Sequence, residues 1–218
     1  MKRTIWLAGA LALGGCANLQ PVQAPAGAVD ALKGQPLTIA TYGMPNLQGT
    51  TWGGVAVGAG AICSAICADG GAIVRDNEIR DPVLIMAPKL TAAVSEKLKP
   101  SGTARIADRP RDLNDEASLS RDAGGKGVVL DITTVDWSFI YYPLDWTHYE
   151  LRYTARARLI DANTGKRIAQ APCQYKSPDT DPPSYDQMLE NKAARLKAML
   201  ALAGETCADQ MAKSLYAP

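Results

Sequence analysis

Alternation with a period of two marks three strands along the chain. LTIATY at residues 37–42 is β-prone and alternating, and predicts the first. In VVLDITTV, residues 128–135, Val128, Leu130 and Ile132 fall on one face and Val129, Asp131 and Thr133 on the other, which predicts a strand with one wetter side. YELRYTARARLID at 149–161 sends Tyr149, Leu151, Tyr153, Ala155, Ala157 and Leu159 one way, and Glu150, Arg152, Thr154, Arg156 and Arg158 the other. Its polar face is basic and reads as solvated, with acidic lipid or a partner as the alternative contact. Asp161-Ala-Asn-Thr-Gly-Lys then turns the chain, because Asn163 and Gly165 tolerate positive φ, and residues 167–175 return as a partner strand.

Helical spacing marks two further segments. Val83, Leu84, Met86, Leu90, Val94 and Leu98 predict a helix that stops before Pro100, with Pro88 in its first turns. Ser184 and Gln187 have the spacing of a capping box. They open a long helix whose Tyr185, Met188, Leu189, Ala193, Leu196, Leu200, Ala203, Cys207, Met211 and Leu215 form one apolar stripe. Residues 105–126, charged and broken by Gly124-Gly125, hold a short strand or helix at most. This order predicts an α+β domain over residues 37–218: a small mixed sheet with a C-terminal hairpin, covered on one face by helices.

The first residues, MKRTIWLAGALALGGCANLQ, follow neither pattern. Lys2 and Arg3 form a basic start, an apolar core follows, and Leu13-Gly14-Gly15-Cys16 closes it with small residues and a cysteine. The core is shorter than the ~20 residues of a spanning helix. The stretch resembles the signal and lipobox of bacterial lipoproteins. That resemblance implies that residues 1–15 are removed, that Cys16 carries diacylglycerol on its thiol and an acyl chain on its amine, and that membrane lipid is its first partner. Ala17 stands where the family's inner-membrane retention signal places Asp, which implies the periplasmic face of the outer membrane. Residues 16–36, rich in Ala, Pro and Gly, read as the lipidated end and a flexible tether.

Charge narrows the partners. The 218 residues carry 23 basic and 22 acidic side chains, a formal +1 that becomes −1 once Lys2 and Arg3 are removed. A nucleic-acid footprint is not expected. Four cysteines remain after Cys16, and in an oxidising periplasm they are expected to pair. Four allow three connectivities. Cys173 ends the returning strand and Cys207 lies on the inward stripe of the helix, so a bridge between them would pin helix to sheet. Cys63 and Cys67 are the candidates for a second, local disulfide. Zinc is the rival reading of the four, but two isolated cysteines a hundred residues after Cys63-x3-Cys67 lack paired-knuckle spacing, and no metal is expected.

The glycine-rich stretch 53–74 is the one place where phosphate chemistry comes into question. Gly58-Ala-Gly60-Ala-Ile-Cys63 has cysteine where a dinucleotide fingerprint needs glycine or alanine, and no Gly-Lys-Ser/Thr follows. As a membrane span, its sixteen uncharged residues 53–68 are too few. Gly54-x3-Gly58 has the spacing of closely packed helices, so residues 53–71 read as a packing element against the domain, the membrane or another subunit. The aromatic run 137–146 reads as a loop between strands that caps the core or binds a partner. His148, the sole histidine, reads as structural or exposed. Asp131 with Asp136, or with Glu150 across the hairpin, can be assembled into a carboxylate pair on paper, as any acidic chain permits, and carries no weight without pocket geometry.

The elements VVLDITTV and RYTARARLIDANTGKRIAQ, with their basic strand, Asp-x-x-Thr-Gly-Lys turn and return strand, carry a second resemblance. They are similar to the domain shared by curli-secretion-channel lipoproteins and the activator lipoproteins of penicillin-binding proteins. The likeness spans residues 37–215 as an order of elements, with local likeness around residues 159–169; a clear pair of amphipathic barrel strands is lacking. It implies a noncatalytic binding or assembly module of the envelope, with no cofactor, an envelope protein as partner, and self-association into a homo-oligomer open to it. The alternative is an accessory or ring-forming component of a secretion or transport system.

Overall fold

A computed structural model describes residues 19–50, 70–142 and 144–215. The chain runs β1 (Leu37–Tyr42), β2 (Gln48–Thr50), α1 (Gly70–Asp76), α2 (Val83–Leu98), β3 (Thr103–Arg109), α3 (Glu116–Asp122), β4 (Val128–Tyr142), β5 (Asp145–Asp161), β6 (Lys166–Lys176) and α4 (Tyr185–Ser214). The sheet has the order β3-β1-β4-β5-β6, with β2 beside the far half of β4. β1 is parallel to both β3 and β4, while β4, β5 and β6 form an antiparallel meander. This is the α+β architecture expected from the pattern, with the long C-terminal helix in place.

β1 is buried along its whole length because it has a strand on each side and helices below. α2 and α4 lie on the front of the sheet. They bring Met86, Leu90, Val94 and Leu98 from one helix, and Leu196, Leu200, Ala203 and Met211 from the other, against Leu37, Leu130, Leu151 and Leu159. The Ser184–Gln187 capping box opens α4 with both reciprocal hydrogen bonds. Pro88 sits at the sixth residue of α2, deeper than the first turn, where its missing N–H leaves the Leu84 carbonyl without its helical donor. Leu84 faces solvent, so water can take that carbonyl.

Four expectations are corrected. The aromatic run is no loop: β4 continues through it, and Trp137 and Phe139 are fully buried. A register shift between Thr134 and Asp136 inserts an extra residue, so the inward set changes from Val128, Leu130 and Ile132 to Trp137, Phe139 and Tyr141. Residues 105–126, expected to hold a short strand or helix at most, supply most of the edge strand β3 and all of α3.

The basic face of β5 is solvated only at Arg152, because Arg156 and Arg158 are buried. A smaller second core of Ala40, Tyr42, Leu119, Val129, Ile160 and Ala162 forms on that back face under α3. The segment read as a free tether is docked from Gln20 onward. Val22 and Gln170 exchange backbone hydrogen bonds of 2.9 and 2.8 Å, and the Gln170 side-chain amide donates to the Gln20 carbonyl at 2.7 Å. Ala24, Ala28, Val29 and buried Leu32 pack against the main core, and the Gly34 N–H caps the Leu98 carbonyl at 2.8 Å. An open edge on β6 and apolar residues at helical and alternate spacings give this segment more than solvent could.

Candidate functional site

The back of the sheet concentrates charge. Asp131 on β4 lies opposite Arg158 on β5, fully buried, and accepts from its Nε at 2.6 Å. Arg158 also donates to the Asn114 carbonyl at 2.6 Å. Arg167 reaches Glu116 at 3.0 Å, and Arg109 pairs with Asp122 and donates to Ser118 Oγ at 3.0 Å. The Arg109 guanidinium stands 5.8 Å from the centroid of the Tyr42 ring. Burial, and then the Asp131 charge, push the Tyr42 hydroxyl far above its ordinary value, so it stays protonated.

Arg156 differs from its neighbours. It is 7 % exposed, its Nε is buried without a hydrogen-bond partner, and no acid among the described residues pairs with it. Burial, followed by the Arg158 charge, lowers its proton affinity. Arg152, next on the same face, is exposed and pairs with buried Glu150, which Lys176 also reaches at 2.9 Å.

A second, half-buried group lies where α2 begins. Asp81 accepts from the Val83 N–H at 2.9 Å and from the Thr134 hydroxyl, and Thr134 Oγ1 lies 2.8 Å from the Tyr153 hydroxyl. Burial raises the Asp81 carboxyl above its ordinary range against the lowering pull of these donors and of Arg111. A cavity of about 250 Å³ opens beside it, lined by Thr41, Tyr42, Met44 and Asp108 among others. The Asp-Pro pair before an apolar period is a legible helix start. The link from Asp81 to Thr134, 53 positions away, has no signal in the sequence.

At the far end of the β4–β5 hairpin, Leu144 is wholly exposed and Trp146 half exposed. Below them Phe139, Tyr149 and Tyr185 cluster with centroids 5.9 Å apart, Phe139 and Tyr149 edge to face and Tyr185 tilted against both. His148 is half-buried, and its Nδ1 lies 2.6 Å from Asp145. Hydrogen bonds from Thr147 and then from His148 hold the Asp145 carboxyl down at about 2. Asp131, Asp136 and Glu150 are not brought together: Asp131 meets Arg158, and Glu150 meets Arg152 and Lys176.

Cys173 and Cys207 are joined by a disulfide, with Cα atoms 5.5 Å apart, which ties α4 to β6. Cys16, Cys63 and Cys67, and residues 53–69 of the glycine-rich stretch, lie outside the described residues. Gly70, at its end, does pack closely: a Cβ there would stand 1.6 Å from the Leu47 carbonyl oxygen. Among the described residues no three His, Cys, Asp or Glu side chains are grouped to hold a metal ion. Among them, too, no helix is long and apolar enough to cross a membrane.

No protein-family model matches the chain, and no curated protein matches it. Solved structures do. The chain is similar to the PelC dodecamer from Paraburkholderia phytofirmans, at 11% identity and a TM-score of 0.35 over 91% of this chain and 97% of that one. It is similar to lipoprotein GNA1162 from Neisseria meningitidis, at 16% identity and a TM-score of 0.31 over 78% and 96%. It is also similar to protein XCC0632 from Xanthomonas campestris, at 13% identity and a TM-score of 0.36 over 90% and 88%. At such distances the chain's own residues must carry any account of what it does.

Proposed function

We propose that the chain is a periplasmic lipoprotein, held to the outer membrane through acylated Cys16, that works as a noncatalytic binding or assembly module of the cell envelope. One observation carries the reading: the LGGC motif ends at Cys16, and four residues later Gln20 is already bonded to the domain. A lipid on Cys16 would therefore hold the domain close to the leaflet, where the exposed Leu144 and Trp146 of the hairpin end can meet a partner. The disulfide fits the same compartment. Replacing Cys16 with Ser should abolish incorporation of labelled fatty acid and release the protein from membranes. Unchanged incorporation and retention would defeat the reading.

The second reading is a ring-forming or accessory component of a secretion or transport system. It is favoured by β3, an edge strand that is exposed over most of its length and open to a neighbouring copy. Sedimentation of the lipidated protein in gentle detergent separates the two. A tethered module runs as a monomer or small oligomer, and a ring former as a large one.

A further inference from the structure

We propose that Arg156 is the centre of a phosphate-binding site on the back face of the sheet, and that its occupant is a headgroup phosphate of the leaflet that holds Cys16. The choice of occupant rests on the lipid anchor proposed above; the phosphate site itself does not. Arg156 is more than nine-tenths buried, yet no side chain among the described residues neutralises it. Asp131 is the acid whose charge acts on it; that carboxylate bonds Arg158 Nε through Oδ2 at 2.6 Å, while its buried Oδ1 has no hydrogen-bond partner. The trio Asp131, Arg156 and Arg158 thus keeps one positive charge in surplus. The other cations around it, Arg167, Arg152 and Lys176, are matched by Glu116, Glu150 and Asp179. A desolvated cation without a counter-charge destabilises a fold unless an anion completes it. A guanidinium such as this one, whose Nε–H has no partner, is the side chain suited to phosphate oxygens.

The position of the N-terminal segment identifies the phosphate. Arg156 pairs across β5 and β6 with Pro172, and Val22 pairs with Gln170, two residues along the same strand. The docked segment therefore runs about two strand spacings, ~10 Å, from the Arg156 backbone. Four residues of chain from Gln20 to Cys16 reach at most about 14 Å. The glycerolipid on Cys16, and the headgroups next to it, thus stay within about 25 Å of that backbone. Headgroup phosphates attract cations most strongly within a Debye length of the surface, which this leash enforces.

The test uses the lipidated full chain in bilayer discs made either of phosphatidylglycerol or of a phosphate-free galactolipid. In galactolipid discs, inorganic phosphate should raise the melting temperature, while acetate at the same ionic strength should not. In phosphatidylglycerol discs the melting temperature should already be raised, and added phosphate should change nothing. Arg156→Met should weaken the phosphate response about 10–100-fold, the usual value of a charged hydrogen bond, and remove the difference between discs, whereas Arg152→Met should leave both intact. Equal phosphate responses in the two discs would overturn the lipid occupant. No response in either, or the same response in Arg156→Met, would overturn the site. If Arg156→Met does not fold, the ¹⁵N-detected Nε–H resonance of Arg156 in the wild type decides: it moves on phosphate addition, or the site is absent. Failure of the lipid anchor would show separately, as membrane retention of Cys16→Ser with the phosphate response preserved.

Discussion

Asp81 shows how much one half-buried carboxyl can shape stability. Its proton affinity is raised because burial outweighs the hydrogen bonds from Thr134 and Val83. The folded chain therefore holds a proton at this site at pH values where the unfolded chain has released it. By linkage, the contribution is present below the ordinary carboxyl value and is lost as pH rises through the folded value. Asp81→Asn keeps an oxygen for Thr134 and removes the titration. Urea unfolding at pH 4 and pH 7 should show the wild type losing stability over that interval relative to Asp81→Asn, and parallel profiles would assign the effect elsewhere. Neither Asp81 nor Arg156 was legible in the sequence. Alternate arginines on a strand usually mean water, and only the cross-strand placement of Asp131 and the cover of α3 make Arg158 and Arg156 interior.

Elements were legible wherever a single period held. The β5–β6 hairpin, the capping box and the inward stripe of α4 all follow from local spacing, which one segment fixes by itself. The second half of β4 was hidden because the extra residue near Asp136 reverses which positions face inward, so its two halves read as unrelated. α4 hides another break: Glu190 is extended, and Asn191, Lys192 and Ala193 turn left-handed, inside an otherwise regular apolar stripe. The helix thus meets the hairpin end with one short arm and the sheet with a long one. Its long arm is held by the Cys173–Cys207 bridge, which closes a loop of 34 positions. In the chain-entropy account such a closure contributes roughly 3–4 kcal/mol. Replacing both cysteines with Ala should lower unfolding free energy by about that much in denaturant titrations, and a change below about 1 kcal/mol would show that packing alone seats the helix.

At the scale of the molecule, the pairing of strands far apart in sequence was the part no window could show. β3 was read as a fragment because it is exposed and charged, and it became a strand only by lying beside β1. The docked residues 20–34 were read as linker on composition, since their partners, Gln170 and Leu98, are far along the chain. The same topology governs how the protein comes into being. β1 is made before both of its neighbours, which begin at Thr103 and Val128, and both pairings are parallel. Long loops must close before either contact forms, which slows them. The β5–β6 hairpin needs only a short turn, so it can form on its own within microseconds. The fold is thus completed backwards: in pulsed hydrogen exchange during refolding, the amides of β5 and β6 should be protected before those of β1. A growing chain carries β1 bare on both edges until β3 has been made, about halfway along, and on one edge until β4 follows, and in that interval it is most open to aggregation and most dependent on a chaperone.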